Sequence, residues 1–244
     1  MKAFILAAGL GTRLSPLTLD RPKALVEVGG MPLLEFALRY LRSCGFDEFV
    51  INVHHFADQL IHFIEQKRSE GFHIQVSDER DALLDTGGAI KKARPFLEDS
   101  DSFLVYNADI VTDLDLRHFH DFHLKNNFLA CLAIRERASS RYFHFDQSWE
   151  LKAWSNAKDG SEKGPFPADV MPYKRAFSGI HMLSPKIFDL FPEESVFSIV
   201  DVYMKHCYKQ PIFGYDHTET QWIDAGKLST IPLAAELVKE ISPK

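Results

Sequence analysis

The apolar positions in the first half of the chain form short continuous runs separated by stripes at helical spacing. The short runs predict buried strands over residues 3–8, 49–53, 72–76 and 103–106. The stripes predict helices over residues 32–44 and 57–67, and the first helix is framed by Pro32 and Gly45. This alternation of strands and helices predicts an α/β fold with a doubly wound, mostly parallel sheet.

The second half of the chain predicts shorter and more mixed elements. Strands are expected over residues 128–134, 143–145, 151–154, 176–182 and 212–215, and helices over residues 114–125, 185–191, 198–208 and 227–240. The segment 155–172 is rich in glycine, proline and charge, which predicts a long surface loop. Because His118, His120 and His123 do not share one helical face, a solvated histidine face is expected instead of a zinc site.

The first predicted strand runs directly into a turn that contains glycine. Gly9 and Gly11 would let backbone N–H groups approach phosphate oxygens, and Arg13 and Lys23 add the positive charge that a polyphosphate requires. The turn is not a P-loop, because Gly11 is not followed by Lys and Ser or Thr. It also lacks the third glycine of a dinucleotide-binding fingerprint, since that position is Leu14. A plain tight turn is the alternative interpretation of these glycines alone.

A second candidate loop spans residues 83–89. Asp85 or Thr86 is expected to cap the helix that follows it. Gly87 and Gly88 are poor helix formers, so their position at a helix start indicates that another group approaches the backbone closely. The alternative is a flexible entry turn.

Two acidic residues are candidate metal ligands. Asp109 follows the apolar strand over residues 103–106, and ligands collect at the carboxyl ends of strands in open α/β sheets. Asp224 lies far from it in sequence, and the two carboxylates could hold one Mg²⁺ if both reach the same edge of the sheet. The alternatives are that Asp109 turns the chain and that Asp224 caps the last helix.

The composition restricts the classes of function. The chain of 244 residues carries a formal net charge of -6, which argues against a bulk electrostatic grip on nucleic acid or on an anionic membrane. Cys44, Cys131 and Cys207 match neither a disulfide framework nor a metal-binding spacing, so a reducing compartment is expected. The first apolar run is too short for a signal peptide or a membrane span, and we expect a cytoplasmic protein.

A longer string of residues resembles a known family. Residues 6–14 (LAAGLGTRL) and 21–25 (RPKAL) are similar to the signature of sugar-1-phosphate nucleotidyltransferases. Four later stretches resemble further motifs of that family in the same order: residues 85–89 (DTGGA), 107–109 (NAD), 177–180 (FSGI) and 222–226 (WIDAG). The resemblance implies a nucleoside triphosphate and a sugar 1-phosphate as substrates, with release of pyrophosphate.

The resemblance also implies an architecture. It implies a Rossmann-like, three-layer αβα fold with a mixed, mostly parallel sheet, of the nucleotide-diphospho-sugar transferase type. A single domain is expected over residues 1–244. Its nucleotide-binding part would span about 1–112, its sugar-binding part about 113–226, and its closing helix 227–244. We expect a monomer or a homodimer, with no nucleic-acid or membrane partner.

The same resemblance implies roles for individual residues. It implies nucleotide contacts for Ala8, Gly9, Gly11, Thr12, Arg13, Thr86, Gly87 and Gly88. Arg13 would bind the phosphates, and Gly87 and Gly88 would flank the base. Lys23 would meet the reacting phosphates, which makes Arg13 and Lys23 the catalytic candidates. Sugar contacts are implied for Asn107 and Gly179, and Mg²⁺ binding for Asp109 and Asp224.

Within the family, the motif combination is most similar to uridylyltransferases that act on N-acetylmuramate 1-phosphate, which implies UTP and that sugar phosphate as substrates in peptidoglycan recycling. Mannose- or heptose-1-phosphate guanylyltransferases, glucose-1-phosphate thymidylyltransferases and choline-phosphate cytidylyltransferases remain alternatives. A non-catalytic subunit that senses nucleotide sugars is disfavoured, because Arg13, Lys23, Asp109 and Asp224 are all present. A nicotinamide-dependent oxidoreductase is disfavoured by the missing third glycine.

Overall fold

The structure is a computed structural model that describes residues 1–164 and 173–241. The strands in these ranges are β1 (Lys2–Leu6), β2 (Glu27–Val28), β3 (Met31–Pro32), β4 (Glu48–Val53), β5 (His73–Asp78), β6 (Phe103–Asn107), β7 (Ile110–Thr112), β8 (Ala130–Arg135), β9 (Arg141–Phe145), β10 (Leu151–Asn156), β11 (Glu162–Lys163), β12 (Tyr173–Leu183), β13 (Ile212–Asp216) and β14 (Trp222–Asp224). The helices are α1 (Leu33–Ser43), α2 (Ala57–Ser69), α3 (Asp85–Lys92), α4 (Arg94–Leu97), α5 (Leu116–Asn126), α6 (Ile199–His206) and α7 (Ile231–Ile241). No helix in the described ranges has the length and apolar character needed to cross a membrane.

Ten of the described strands form one mixed sheet. Its main path runs β11–β10–β9–β12–β6–β1–β4–β5, with β8 also paired to β12 and β13 paired to β8. β1 lies parallel to both β4 and β6, and β4 lies parallel to β5. β12 runs antiparallel to β6, β8 and β9. The predicted α/β fold with a mixed sheet is therefore confirmed, but parallel pairings do not predominate, since four of the nine pairings between its described strands are parallel and five are antiparallel.

Apolar side chains cover both faces of the sheet. Phe4 and Ile5 are consecutive on β1 and belong to two different hydrophobic clusters, because successive side chains of a strand point to opposite faces. Ile5 shares its cluster with Leu38 of α1 and Leu60 of α2. Phe4 shares the other cluster with Ile90 of α3. Burial on both faces explains why the parallel strands appear in the sequence as continuous apolar runs.

The register of the strands brings several loop segments to one edge of the sheet. Leu6 at the end of β1 is opposite Asn107 at the end of β6, so the turn after β1 lies beside Asp109. A separate two-stranded pairing aligns β14 antiparallel with β7, and it places Asp224 opposite Ile110. Two acidic residues that are distant in sequence therefore meet at the carboxyl edge of the sheet.

Several predicted boundaries differ from the structure, among them those of β1 and of the loop over residues 155–172. β1 ends at Leu6 instead of residue 8, because the backbone N–H groups of the next two residues turn towards the side chain of Asn52. The predicted loop over 155–172 was wrong at its start, since residues 155 and 156 belong to β10 and Glu162–Lys163 pairs with that strand as β11. Residues 165–172 of that segment lie outside the described residues.

Two histidines of α5 are shielded from solvent to different degrees, since the side chain of His120 is 13% exposed and His123 is almost fully covered. His123 is buried, and burial, with a smaller effect from His120, lowers the pKa of its ring to about 4. The prediction of a solvated histidine face was therefore wrong for His123. Phe119, also buried, precedes it by one helical turn, so His123 lies on the apolar side of α5.

Candidate active site

A cavity of about 490 Å³ opens at the carboxyl edge of the sheet. Its size falls within the range that is typical of small-molecule sites. Of the site residues predicted from sequence, it is lined by Ala8, Gly9, Lys23, Thr86, Asn107 and Asp109. The strand order thus gathers residues from separate stretches of the chain around one cavity.

The turn after β1 uses its two glycines differently. A Cβ built on Gly9 would have no atom within 4 Å, so the Gly9 backbone faces open space. Gly11 has a φ of +68°, and a Cβ there would lie 2.9 Å from Cβ of Lys23. Glycine at this position therefore lets the turn pack against the segment that carries Lys23. Thr12 and Arg13 follow in a short 3-10 helix and are exposed.

Asn52 on β4 fixes the position of the turn. Its Oδ1 accepts hydrogen bonds from the backbone N–H groups of Ala7, at 2.7 Å, and Ala8, at 3.3 Å. Asn52 itself is 2% exposed. Because buried backbone donors require partners, Asn52 compensates for the end of the β1 ladder and orients the chain at the cavity wall.

Glu79 extends this network towards the second loop. Its Oε1 accepts a hydrogen bond of 3.0 Å from Nδ2 of Asn52, and its backbone carbonyl oxygen accepts one of 3.1 Å from the backbone N–H of Ala82. Burial raises the pKa of the Glu79 carboxyl, and the hydrogen bond from Asn52 opposes that rise. Glu79 therefore connects the turn after β1, through its carboxyl group and Asn52, with the loop before α3, through its backbone.

The chain itself approaches the two glycines of α3. The backbone N–H groups of Gly87 and Gly88 both donate to the carbonyl oxygen of Phe197, at 2.9 and 3.2 Å. A Cβ on Gly88 would lie 2.0 Å from the carbonyl oxygen of Ser195, so only glycine fits there. This close approach occurs between segments of the same chain. A base-flanking role for these glycines stays a prediction.

The start of α3 differs from the predicted cap. Leu84 is the N-cap residue, and no side chain caps the helix, so the expected capping by Asp85 or Thr86 was wrong. Asp85 has a φ of +59°, a left-handed conformation that non-glycine residues rarely adopt. Thr86 Oγ1 instead accepts a hydrogen bond of 3.1 Å from the backbone N–H of Ile199. The α3 start is thereby tied to the segment that leads into α6.

The two candidate metal ligands converge on one backbone position. A Cβ on Gly226 would lie 2.6 Å from Oδ2 of Asp109, 2.7 Å from Oδ1 of Asp224 and 2.7 Å from Nζ of Lys23. The ammonium group of Lys23 forms an ion pair with the Asp109 carboxylate. Nη1 of Arg13 lies 3.6 Å from Oδ2 of Asp224. The four charged residues predicted from sequence therefore form one cluster.

The two carboxyl groups have opposite pKa shifts. Burial raises the pKa of Asp109, the charge of Lys23 opposes this rise, and the charge of Asp224 adds to it. Burial also tends to raise the pKa of Asp224. The hydrogen bond from the Gly226 backbone N–H, at 2.8 Å, opposes that effect, and the net result is a lowered pKa. The cluster thus combines two carboxyl groups with two cationic side chains, those of Lys23 and Arg13.

The donor set can be compared with the requirements of metal ions. Among the described residues, no group of three or more His, Cys, Asp or Glu side chains could enclose a metal. Mg²⁺ does not need such a cage, because it is usually bound by one or two carboxylates together with substrate phosphates and water. The oxygen atoms of Asp109 and Asp224 therefore fit Mg²⁺ better than they fit zinc.

The predicted sugar contacts lie beside this cluster. Gly179 has a φ of +76°, and a Cβ there would lie 2.7 Å from Nδ2 of Asn107, so the two residues are in direct contact. Ser178 is held by a hydrogen bond of 2.6 Å to Nε2 of His217, and its carbonyl oxygen accepts one of 3.0 Å from the indole of Trp222. This strand segment is therefore fixed on both sides.

Three residues that shape the site are not among those predicted from the sequence. Asn52 and Glu79 organise the cavity wall, and Val196 lines the cavity although it is 57% exposed. A signal for Asn52 was present, because it is the single polar residue in the otherwise apolar strand over residues 49–53. Neither Glu79 nor Val196 stands out in its local sequence, since each depends on contacts with distant segments.

Comparison with known proteins agrees with this geometry. The family model described as Nucleotidyl transferase matches residues 2–240. The chain is 31% identical over 243 residues to an N-acetylmuramate alpha-1-phosphate uridylyltransferase of Neisseria meningitidis serogroup B, covering 97% of this chain and 98% of the relative. It is 33% identical over 194 residues to the Caulobacter vibrioides protein of the same name, covering 76% of each.

A solved structure shows the same fold. HddC from Yersinia pseudotuberculosis superposes with a TM-score of 0.77 at 24% identity, covering 96% of this chain and 98% of that one. Because the sequence identity is low, this match shows the fold alone. The family model and the two relatives cover most of the chain, and they agree with the motifs that surround the cavity. The protein therefore belongs to the nucleotidyl transferase family, as a member of the sugar-1-phosphate nucleotidyltransferases.

Proposed function

We propose that this protein joins a nucleoside triphosphate to a sugar 1-phosphate and releases pyrophosphate. The observation that carries the proposal is the convergence of Lys23, Asp109 and Asp224 around Gly226, next to the cavity. In this reaction an oxygen of the sugar phosphate attacks the α-phosphorus of the triphosphate, and pyrophosphate leaves with the bonding electrons. The reaction needs aligned phosphates and local positive charge more than it needs a general base.

The chain's own residues supply these requirements. Lys23 lies at the cavity wall, where its ammonium group would compensate charge on the α-phosphate and the attacking phosphate. Arg13 is exposed, and its guanidinium fork can span two oxygens of the β- and γ-phosphates. The backbone of Ala8 and Gly9, fixed through Asn52, would approach the nucleotide. These residues would thus hold the nucleotide and the sugar phosphate together and reduce the repulsion between their negative charges.

We further propose that Asp109 and Asp224 bind one Mg²⁺. A bound Mg²⁺ would neutralise negative charge on the reacting phosphates. Support comes from the oxygen-only donor pair, because carboxylate oxygens of both residues approach the same backbone position at Gly226.

The substrates proposed are UTP and N-acetylmuramate 1-phosphate. Support comes from the two relatives that are 31% and 33% identical, both described as N-acetylmuramate alpha-1-phosphate uridylyltransferases. Guanylyl, thymidylyl and cytidylyl transfer are the alternatives. The assignment of residues 1–112 to the nucleotide and 113–226 to the sugar also stays a proposal, as does a monomer or homodimer.

Pyrophosphate release tests the proposal. UTP, GTP, CTP and dTTP are each combined with N-acetylmuramate, glucose and mannose 1-phosphates, with Mg²⁺ or with EDTA. We expect the fastest release for UTP with N-acetylmuramate 1-phosphate, and none with EDTA. If the folded protein releases no pyrophosphate with any pair, the transferase proposal fails. Binding of a nucleotide sugar without turnover would instead favour a sensing subunit.

A further inference from the structure

Arg137 carries a hydrogen-bonding group that the described residues leave without a partner. It follows β8 and is partly buried. Its Nη1 and Nη2 donate only to backbone carbonyl oxygens, those of Ala138 at 3.3 Å and Phe177 at 2.9 Å. Its Nε is buried and has no hydrogen-bond partner in the part of the chain that the structure describes. The guanidinium therefore retains both a full charge and a free donor.

The position of Arg137 links it to the candidate active site. Its Cζ lies 4.6 Å from the centre of the Trp222 ring, a cation–π arrangement. Trp222 and Asp224 are two residues apart on β14, so their side chains share one face of that strand. Phe177, which accepts the Arg137 hydrogen bond, precedes Gly179 by two residues. Arg137 is therefore flanked by the metal-binding candidate and by the predicted sugar-contacting strand.

A second arginine shows how this protein pairs a guanidinium elsewhere. The side chain of Arg175 is 19% exposed, and its Nε donates to Asp216 at 2.7 Å while its Nη2 lies 3.6 Å from Glu136. No comparable ion pair forms at Arg137 within the described residues; the side chains that act on it electrostatically are Asp224, Arg135 and Tyr142. Burial lowers the pKa of Arg137, and the charge of Asp224 opposes this shift.

Partial burial of an unpaired charge is unfavourable unless a ligand compensates for it. The proposed substrate is an anion, and the formal net charge of the protein is -6, so positive charge must be supplied locally. Nη1 and Nη2 of Arg137 each carry two N–H donors and each gives one to a backbone carbonyl oxygen, so the second N–H of either group would donate a charge-assisted hydrogen bond to a phosphate or carboxylate.

We propose that Arg137 forms an anion-binding subsite that recognises a negatively charged group of the sugar substrate. The group is either the 1-phosphate itself or a carboxylate that the sugar carries. This inference rests on the proposed function. If the group is the carboxylate, Arg137 also contributes to the choice of sugar, for which the sequence motifs offered only Asn107 and Gly179.

Binding and kinetics of three variants test the subsite. Arg137→Gln removes the charge, Arg137→Lys keeps the charge without the planar fork, and Arg141→Gln makes the same charge change at an exposed residue of β9. The probes are glucose 1-phosphate, which has only the phosphate, and N-acetylmuramate 1-phosphate, which also has a carboxylate. Dissociation constants come from calorimetry, KM values come from pyrophosphate release, and circular dichroism confirms folding.

We expect Arg137→Gln to weaken sugar-phosphate binding by about 10-fold or more, as the loss of a charge-assisted hydrogen bond implies. Arg137→Lys should lose less affinity for the sugar phosphate than Arg137→Gln does. Arg141→Gln should bind it as the wild type does, and the KM for the nucleotide should not change in any variant. Weakening for both probes identifies the phosphate as the bound group. Weakening for N-acetylmuramate 1-phosphate alone identifies the carboxylate.

Unchanged binding of both probes by Arg137→Gln overturns the inference, and so does equal weakening in Arg141→Gln. If Arg137→Gln does not fold, the Arg137→Lys variant provides the test. Wild-type affinity for both probes in that variant would show that the guanidinium group of Arg137 does not recognise the anion. The proposed function fails separately, when the wild-type protein binds a sugar phosphate but releases no pyrophosphate. Failure of the wild-type protein to bind either probe also counts against the subsite.

Discussion

The backbone N–H of Ala7 donates a hydrogen bond of 2.7 Å to Oδ1 of Asn52, which lies 45 residues later in the chain on the neighbouring strand. Asn52 also donates to Glu79, so its amide connects the turn after β1 with the end of β5. This side-chain amide replaces a strand–strand hydrogen bond at the position where β1 ends. The turn can therefore leave the sheet without an unpaired buried N–H.

Asn52→Ala should destabilise the protein and weaken nucleotide binding. The substitution leaves two backbone donors and the Glu79 carboxyl without their partner, which should cost about 2–4 kcal/mol in free energy of unfolding. Urea denaturation measures that loss, and the KM for the triphosphate should rise more than the KM for the sugar phosphate. Asn126→Ala, at an exposed helix end, is the control. Wild-type stability in Asn52→Ala would contradict this account of the turn.

Gly179→Ala should disturb the contact with Asn107. Its φ of +76° and the 2.7 Å approach of Asn107 Nδ2 both oppose a Cβ. Gly71 has a φ of +85°, but a Cβ at that position would meet no atom within 4 Å, so Gly71→Ala isolates the backbone strain. Gly71→Ala should lose about 1 kcal/mol of stability through backbone strain alone, and Gly179→Ala should lose more because of the added contact with Asn107. Only Gly179→Ala should also raise the KM for the sugar phosphate, and equal kinetics in the two variants would argue against the contact.

Asp109→Asn and Asp224→Asn should each reduce pyrophosphate release by about 100-fold or more, because the reacting phosphates lose charge compensation. The amide keeps the shape of each side chain, so circular dichroism should remain that of the wild type. Asp189→Asn, an exposed position, provides the control. Full activity of either variant at saturating Mg²⁺ would remove that residue from the proposed metal site.

The buried His123 should make the protein less stable in acid. Burial lowers the pKa of His123 to about 4, whereas the unfolded-state value is near the ordinary 6.5. Between these values the unfolded chain binds more protons than the folded one, so stability falls as the pH decreases. The loss from one such group is roughly 2 kcal/mol at pH 5.

His123→Leu should therefore flatten the dependence of stability on pH between 6.5 and 4, because the variant cannot take up that proton. Urea midpoints at about pH 7.5 and about pH 5 measure the effect. His118→Leu, an exposed position on the same helix, should retain the wild-type slope. An unchanged slope in His123→Leu would show that His123 does not bind this proton on unfolding.

Much of the fold could be predicted because its signals are local. Apolar runs marked β1, β4, β5 and β6, since buried side chains on these strands face the core. The short pairing of β11 was missed, because its two residues, Glu162 and Lys163, carry no apolar pattern. The capping of α3 was also mispredicted, because backbone N–H groups in its first turn are satisfied by Phe197, more than a hundred residues later in sequence.

The sequence by itself determined the α/β pattern and the identity of the charged residues, including Lys23, Asp109 and Asp224. Only the tertiary structure decided that these charges share one site, because the pairing of β14 with β7 brings position 224 next to position 109. The positions of Asn52 and Arg137 relative to this site also became apparent only from the tertiary structure. A local pattern reports whether a residue is buried, but a hydrogen bond between distant residues depends on strand order and register, which no short stretch of sequence encodes.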